Sequence, residues 1–286
     1  MSETKVVKVL KNSRKHWVGD GFYVSTLWSP GTSLYDYTNP FLLLDFAAPM
    51  NFTPTSKRRG VGVHPHRGFE TVTFAMKGEV EHRDSSGGGG VIYPGGVQWM
   101  TAASGVVHDE FHSEDFSKKG GEFSMVQLWV NLPAELKMSE PKYQGVEDSS
   151  FPRVNEGSHK VKVIAGEYES TEGPCSTHSP INIFEVSFSE NGTFQYICSD
   201  SMTTIALIID GEVNISNQNY GPEQGLALSK DGDRFEITGV AGSKLLILSG
   251  EPIDEPVASY GPFVMNTKEE LVQAVEDFNA SRMGNL

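Results

Sequence analysis

The chemistry most visible in this sequence lies in two short patterns. His64-Pro65-His66 sets two imidazoles at i and i+2, and forty-two residues after His66 the segment His108-Asp109-Glu110 repeats that spacing with an imidazole and a carboxylate. In an extended segment, residues two apart point to one face. His64 therefore shares a face with His66, and His108 with Glu110, while Pro65 and Asp109 point away. Proline also stiffens the extended backbone and marks an edge or the start of a strand. Two such pairs on neighbouring strands offer three neutral imidazoles and one carboxylate to a single ion, with coordination positions left over for oxygen ligands. The residues also admit a plainer reading, as surface histidines with a carboxylate paired to Arg67. His82, inside Glu79-Val-Glu-His-Arg83, reads as packed or hydrogen-bonded. His112 continues the face of His108 and Glu110 but is expected in a loop outside the barrel. Neither is expected to be a ligand.

The elements that must position these groups read as strands. Between residues 20 and 135, apolar or alternating runs of strand length are divided by turn signals. Phe41 to Asp45, Thr71 to Met76, Glu79 to Arg83, Val91 to Tyr93 and Met125 to Val130 are the strands; Lys77-Gly78, the glycines within 85–90 and Pro94-Gly95-Gly96 are the turns. From Ala134 to Gly157 the composition turns polar and aperiodic, with Pro141 and Pro152, and a linker is expected there. Strands resume at Lys160 to Ile164, Ile181 to Phe188, Thr203 to Ile209 and Lys244 to Leu248. Thr267 to Glu270 is a capping-box pattern leading into a short helix, with Leu271, Val272, Val275 and Phe278 at helical spacing. The halves echo each other: Gly78-Glu79-Val80 and Gly211-Glu212-Val213 each follow an apolar strand, and Pro94-Gly95-Gly96 is matched by Lys230-Asp231-Gly232. That shared order predicts an all-β chain built by duplication of one barrel.

A chain of 286 residues with 30 glycines and 15 prolines fits two domains rich in turns. We place them at 1–140, carrying the metal ligands, and 141–286, carrying none: no histidine falls around Gln195 to Asp200 or within Lys244 to Ile247, and His159 and His178 are expected in loops. A net charge of −14 argues against direct binding to phosphate backbones. No apolar run approaches the ~20 residues that cross a bilayer, and the N-terminus lacks a secretory signal pattern. The expected location is therefore the cytoplasm, or also the nucleus in a eukaryote. Cys175 and Cys198 are the two cysteines. They make no disulfide framework and read as ordinary thiols of a reducing compartment.

The stretch from Val63 to Glu110, carrying HPHRGFETVTF from His64 onward and closing on VVHDE, resembles the pirin family of the cupins. The likeness continues in NPFLLLDF (Asn39 to Phe46), QLWVNLPAELKMSEPKYQ (Gln127 to Gln144) and GEPIDEPVASYGPFVMNT (Gly250 to Thr267). The resemblance implies a bicupin, two antiparallel barrels of jelly-roll type face to face, with one divalent metal, usually iron, in the N-terminal barrel. The family's ligands fall on His64, His66, His108 and Glu110. Glu70 sits where many cupins place a ligand glutamate; here it is expected to be a hydrogen-bonding strand residue. Trp99 stands where a second-motif histidine is common, and His108 supplies that ligand later. The resemblance further implies cleavage of a flavonol-like aromatic substrate with O₂, of the quercetin 2,3-dioxygenase type, with Glu110 as ligand and proton acceptor. The competing implication is a non-enzymatic, redox-sensing iron protein that binds transcription-factor partners.

Overall fold

The computed structural model describes residues 5–197, 199–230 and 234–286, and its regular structure is dominated by antiparallel strands. Two compact units emerge. One comprises 12–33, 41–148 and 253–286; the other takes the chain up to Lys11, 34–40 and 149–252. The division is not a single cut between residues 140 and 141. The strand Val6–Leu10 pairs with Gln224–Leu228 in the second unit, and the C-terminal helix lies in the first.

The histidine-bearing unit is built on two large sheets, with the two-stranded pair Ala258–Tyr260 and Phe263–Met265 beside them. The seven-stranded sheet runs in the order Lys142–Val146, Val97–Thr101, Phe69–Lys77, Gly121–Asn131, Phe41–Phe52, Phe22–Trp28, Lys15–Val18. The four-stranded sheet runs Gly60–His66, Val106–His112, Val80–Asp84, Gly89–Ile92. Phe69–Lys77 is buried along nearly its whole length, as expected of a strand covered on both faces. Apolar side chains from both sheets meet in a core of Phe22, Val24, Ala47, Ala75, Val80, Ile92, Phe123 and Met125. Burying a side chain of this size contributes roughly 1.5–3 kcal/mol, so packing alone has the means to hold the unit together.

The second unit repeats the plan. Its seven-stranded sheet runs Val6–Leu10, Gln224–Leu228, Thr203–Asp210, Lys244–Gly250, Ile181–Phe188, His159–Ala165, Arg153–Asn155, and its four-stranded sheet runs Gly192–Ile197, Arg234–Gly239, Val213–Ile215, Gln218–Tyr220. Taken in chain order, the strands from Phe22–Trp28 to Gly121–Asn131 match those from His159–Ala165 to Lys244–Gly250, apart from two short strands (Glu167–Tyr168 and Thr171–Glu172), and occupy the same places in their sheets. The duplication expected from the Gly-Glu-Val echo is therefore present, and the all-β bicupin reading holds. Gly78 and Gly211 sit at equivalent turns with φ of 74° and 76°, a backbone region that residues with a Cβ avoid.

Several local expectations change. The stretch expected as a linker contains the strand Lys142–Val146, which pairs with Val97–Thr101 and extends the first unit's sheet; tertiary pairing supplies there what local periodicity does not show. A short helix, Glu114–Lys119, follows the ligand strand, with Ser113 Oγ accepting from the Phe116 amide. His159 is not in a loop but opens a strand and is buried, whereas His178 does lie in a loop. The C-terminal helix runs Lys268–Asn279 with the expected Thr267/Glu270 capping box, burying Leu271 and leaving Val272 exposed. Cys175 is buried. Cys198 and the Asp231-Gly232 turn lie outside the described residues. Among those described, no helix is long and apolar enough to cross a membrane.

Candidate metal centre

The four-stranded sheet brings the two histidine patterns side by side. Gly60–His66 and Val106–His112 run antiparallel with His108 opposite His64, and the register shifts between His108 and Glu110. On its other edge Val106–His112 pairs with Val80–Asp84, setting His108 opposite Asp84 and Glu110 opposite His82. Asp109 turns to the other face, as the alternation requires, and pairs with Arg83. Arg67 is committed to Asp277 at 2.7 Å and to the Ser104 carbonyl at 2.6 Å, so the plain reading of an Arg67 pair with Glu110 does not hold.

The rings of His64, His66 and His108 gather closely, with centroids 4.2 to 4.9 Å apart. One ring nitrogen from each lies within 4.8 Å of the others. His82, His108 and Glu110 form a second group under the same limit, so His108 is the member the two groups share and the carboxylate gathers with it on the His82 side. The Thr73 hydroxyl lies between Glu110 and Gln127, 3.5 Å and 2.8 Å from their side-chain oxygens.

Backbone carbonyls and neighbours decide which nitrogens are bare. His64 Nδ1 donates to the Gly62 carbonyl at 2.8 Å, and His66 Nδ1 to the Pro262 carbonyl at 3.3 Å. A carbonyl only accepts, so both rings carry their proton on Nδ1 and keep Nε2 as a lone pair. His108 Nδ1 lies 3.3 Å from His82 Nδ1, and His108 Nε2 is buried without a hydrogen-bond partner. Leaving such a nitrogen unmatched costs about 1–3 kcal/mol, a cost that an ion among the three rings would remove. Burial, then the neighbouring His64, depresses His66 to about 3. Burial and the adjoining histidines hold His108 well below its ordinary value. Both rings are thus neutral at ordinary pH, the form a metal requires. The residues fit one divalent cation.

A cavity of about 330 Å³ opens beside this cluster, lined by His64, His66 and Glu110 together with Asp45, Gln127, Trp129 and several apolar side chains. Burial raises the Asp45 carboxyl above its ordinary range despite a hydrogen bond from Thr26. The walls are largely apolar with a few polar groups, the usual make-up of a small-molecule site.

Outside the four sequence-predicted residues, His82 is fully buried and hydrogen-bonded, at 3.0 Å to Asp84 and 3.0 Å to Gln98, with Tyr143 stacked on its ring. His112 is not in an outer loop. It ends its strand buried among Phe22, Phe52, Phe116 and Phe123, its Nε2 donating to the Gly21 carbonyl at 2.9 Å, and burial lowers it to about 4. Glu70 is the expected strand residue, accepting from Thr101 at 2.7 Å. The roles of Pro262, Gln127 and Asp45 carried no local signal; the His82-x-Asp84 spacing did carry one, since i and i+2 on a strand share a face. In the second unit the places equivalent to the ligand strands hold Phe194, Tyr196, Phe235 and Ile237, all buried in that unit's core. Aromatic packing fills there the space that histidines line here.

Known proteins resemble this chain in sequence and fold. The pirin family matches over residues 24–130 and the pirin C-terminal cupin domain over residues 183–284. A Pseudomonas aeruginosa protein named "putative quercetin 2,3-dioxygenase" is 47% identical over 97% of this chain and 98% of its own length. The crystal structure of an Acinetobacter baumannii quercetin 2,3-dioxygenase superposes with a TM-score of 0.93 at 44% identity, covering 99% of both chains. A bacterial pirin from Escherichia coli, solved in complex with nickel(II), shares the fold at 18% identity and a TM-score of 0.64, over 86% of this chain and 99% of that one.

Proposed function

The chain belongs to the pirin family, and from that membership and the gathered imidazoles we propose that it is a metal-dependent dioxygenase of the quercetin 2,3-dioxygenase type. His64, His66, His108 and Glu110 hold one divalent ion, iron in the working protein, and the substrate is a flavonol-like aromatic. The observation that carries the reading is the 330 Å³ cavity, which shares His64, His66 and Glu110 with the ligand set, so that an organic molecule in it would lie against the residues that would hold the ion. The names of the P. aeruginosa and A. baumannii relatives support the choice of substrate class.

When bound, the ion supplies Lewis acidity toward oxygen ligands and a redox partner for O₂. The chain's own residues do the rest. Glu110, on the cavity wall beside Thr73, accepts the proton of the flavonol hydroxyl. Trp129 and the apolar wall pack against the aromatic rings and exclude water. Gln127 and Asp45 present polar atoms that orient the substrate's oxygens. The carbonyls of Gly62 and Pro262 hold two ligand rings in the tautomer that leaves Nε2 bare.

The test is flavonol-dependent O₂ uptake by iron-loaded and metal-free protein, alongside elemental analysis. Turnover confined to the iron-loaded form supports the assignment. No uptake with iron confirmed in the site would overturn it in favour of a redox-sensing protein that binds other proteins.

A further inference from the structure

Behind the three clustered imidazoles lies a buried chain of hydrogen bonds. Asp84 Oδ2 stands 3.0 Å from His82 Nε2, both side chains wholly shielded from solvent. The other carboxylate oxygen, Oδ1, is already engaged by Ser86, through amide and hydroxyl, and by the Gly88 amide. Burial pushes the Asp84 carboxyl up, but the hydrogen bonds from His82, Ser86 and Gly88 outweigh it and hold it at about 2. A carboxylate accepts only, so His82 Nε2 carries a proton. In a neutral ring Nδ1 is then bare, and it receives the Gln98 amide at 3.0 Å. That nitrogen's single lone pair is shared between the Gln98 amide and His108 Nδ1, 3.3 Å away; two bare nitrogens would repel there, so the contact is favourable only if His108 carries its proton on Nδ1. His108 Nε2 is left as a lone pair, and that is the atom found buried and unpartnered.

We propose that Asp84 and His82 are positioning residues that act through His108, fixing its tautomer so that Nε2 is offered to the ion, and that this chain sets the site's affinity for metal. The proposal rests on the metal-binding part of the function above and not on the dioxygenase assignment. It differs from making His82 a ligand, since its Nδ1 is spent on Gln98 and His108. The register builds the device: Asp84 lies opposite His108, and His82 opposite Glu110, on adjacent strands. Partners that fix a ligating histidine in this manner typically change metal affinity by about 10–100-fold when removed.

The first measurement needs no variant. Two-bond ¹H–¹⁵N correlation spectra of metal-free wild-type protein report which nitrogen of each ring is protonated. The expected pattern is Nδ1–H on His108 and Nε2–H on His82; a His108 protonated on Nε2 overturns the proposal. The second is nickel(II) affinity by competition with a chromophoric chelator, with thermal melts in parallel. Asp84→Asn and His82→Phe should bind about 10–100-fold more weakly. His82→Gln, whose side-chain oxygen can still accept from His108, should recover most of the loss, which a role in packing alone would not produce. Wild-type affinity in folded His82→Phe sinks the proposal while leaving the metal site intact. A wild-type protein that binds no nickel(II) would sink both.

Discussion

At the scale of single residues, the site separates ligands from structure. The core closes through apolar side chains of both sheets, so His64→Ala or His108→Ala should lose the metal while the protein remains folded, unlike small zinc domains that unfold without their ion. Elemental analysis and a cooperative melt check this; full occupancy in either variant would remove that residue from the coordination sphere. Glu110→Gln keeps length and an oxygen donor but removes charge and proton affinity. Metal binding should weaken yet remain measurable, because three imidazoles persist. Activity per bound metal should fall by ~10² to 10⁴, the usual cost of a lost base. Oxygen uptake normalised to metal content decides it: equal activity per metal would leave Glu110 a ligand only.

At the scale of elements, Glu70 shows how a buried carboxyl loads a strand. It lies opposite Thr101 across Phe69–Lys77 and Val97–Thr101. Burial raises it from 4.5 to about 7 against the hydrogen bond from Thr101. Between those values the folded protein keeps a proton that the unfolded chain has lost, so stability falls as pH rises. The contribution is complete below about 4.5 and spent above about 7, a difference of roughly 3 kcal/mol at 1.36 kcal/mol per pH unit. Glu70→Gln cannot ionise. Its melting temperature relative to wild type should rise between pH 5 and pH 8, and a gap that stays constant over that range would show that Glu70 is already charged in the fold.

At the scale of the whole molecule, the C-terminal segment completes the histidine-bearing unit. Pro262 holds His66, Asp277 pairs with Arg67, and the buried Lys137 donates to Gly68, Asn131 and Val264. A fragment ending at residue 140 would leave Arg67 without Asp277 and Lys137 without the Val264 carbonyl, and would also lack the strand Lys142–Val146. Unpaired buried charge is costly, on the order of 3–5 kcal/mol. Expressed alone, residues 12–148 should give no cooperative melt and no tight nickel(II) binding, and adding 253–286 through a short linker should restore both. A cooperative, metal-binding 12–148 fragment would show that the C-terminal segment is dispensable.

Taken alone, the sequence determined the strand-rich class, the internal repeat, the C-terminal helix and the two histidine patterns. All of these rest on local order: alternation with period two, glycine and proline turns, a capping box, and residues two apart sharing a face. Only the tertiary structure could decide the rest. Lys142–Val146 becomes a strand because Val97–Thr101 offers it an edge. His112 is drawn inward by aromatic rings that the chain supplies from four separate segments. Val6–Leu10 belongs with the second unit because its partner is Gln224–Leu228. Which nitrogen of His66 and of His108 is left bare depends on the Pro262 carbonyl and on the His82 imidazole, groups brought up from segments distant in sequence, and spacing along one strand carries no information about them.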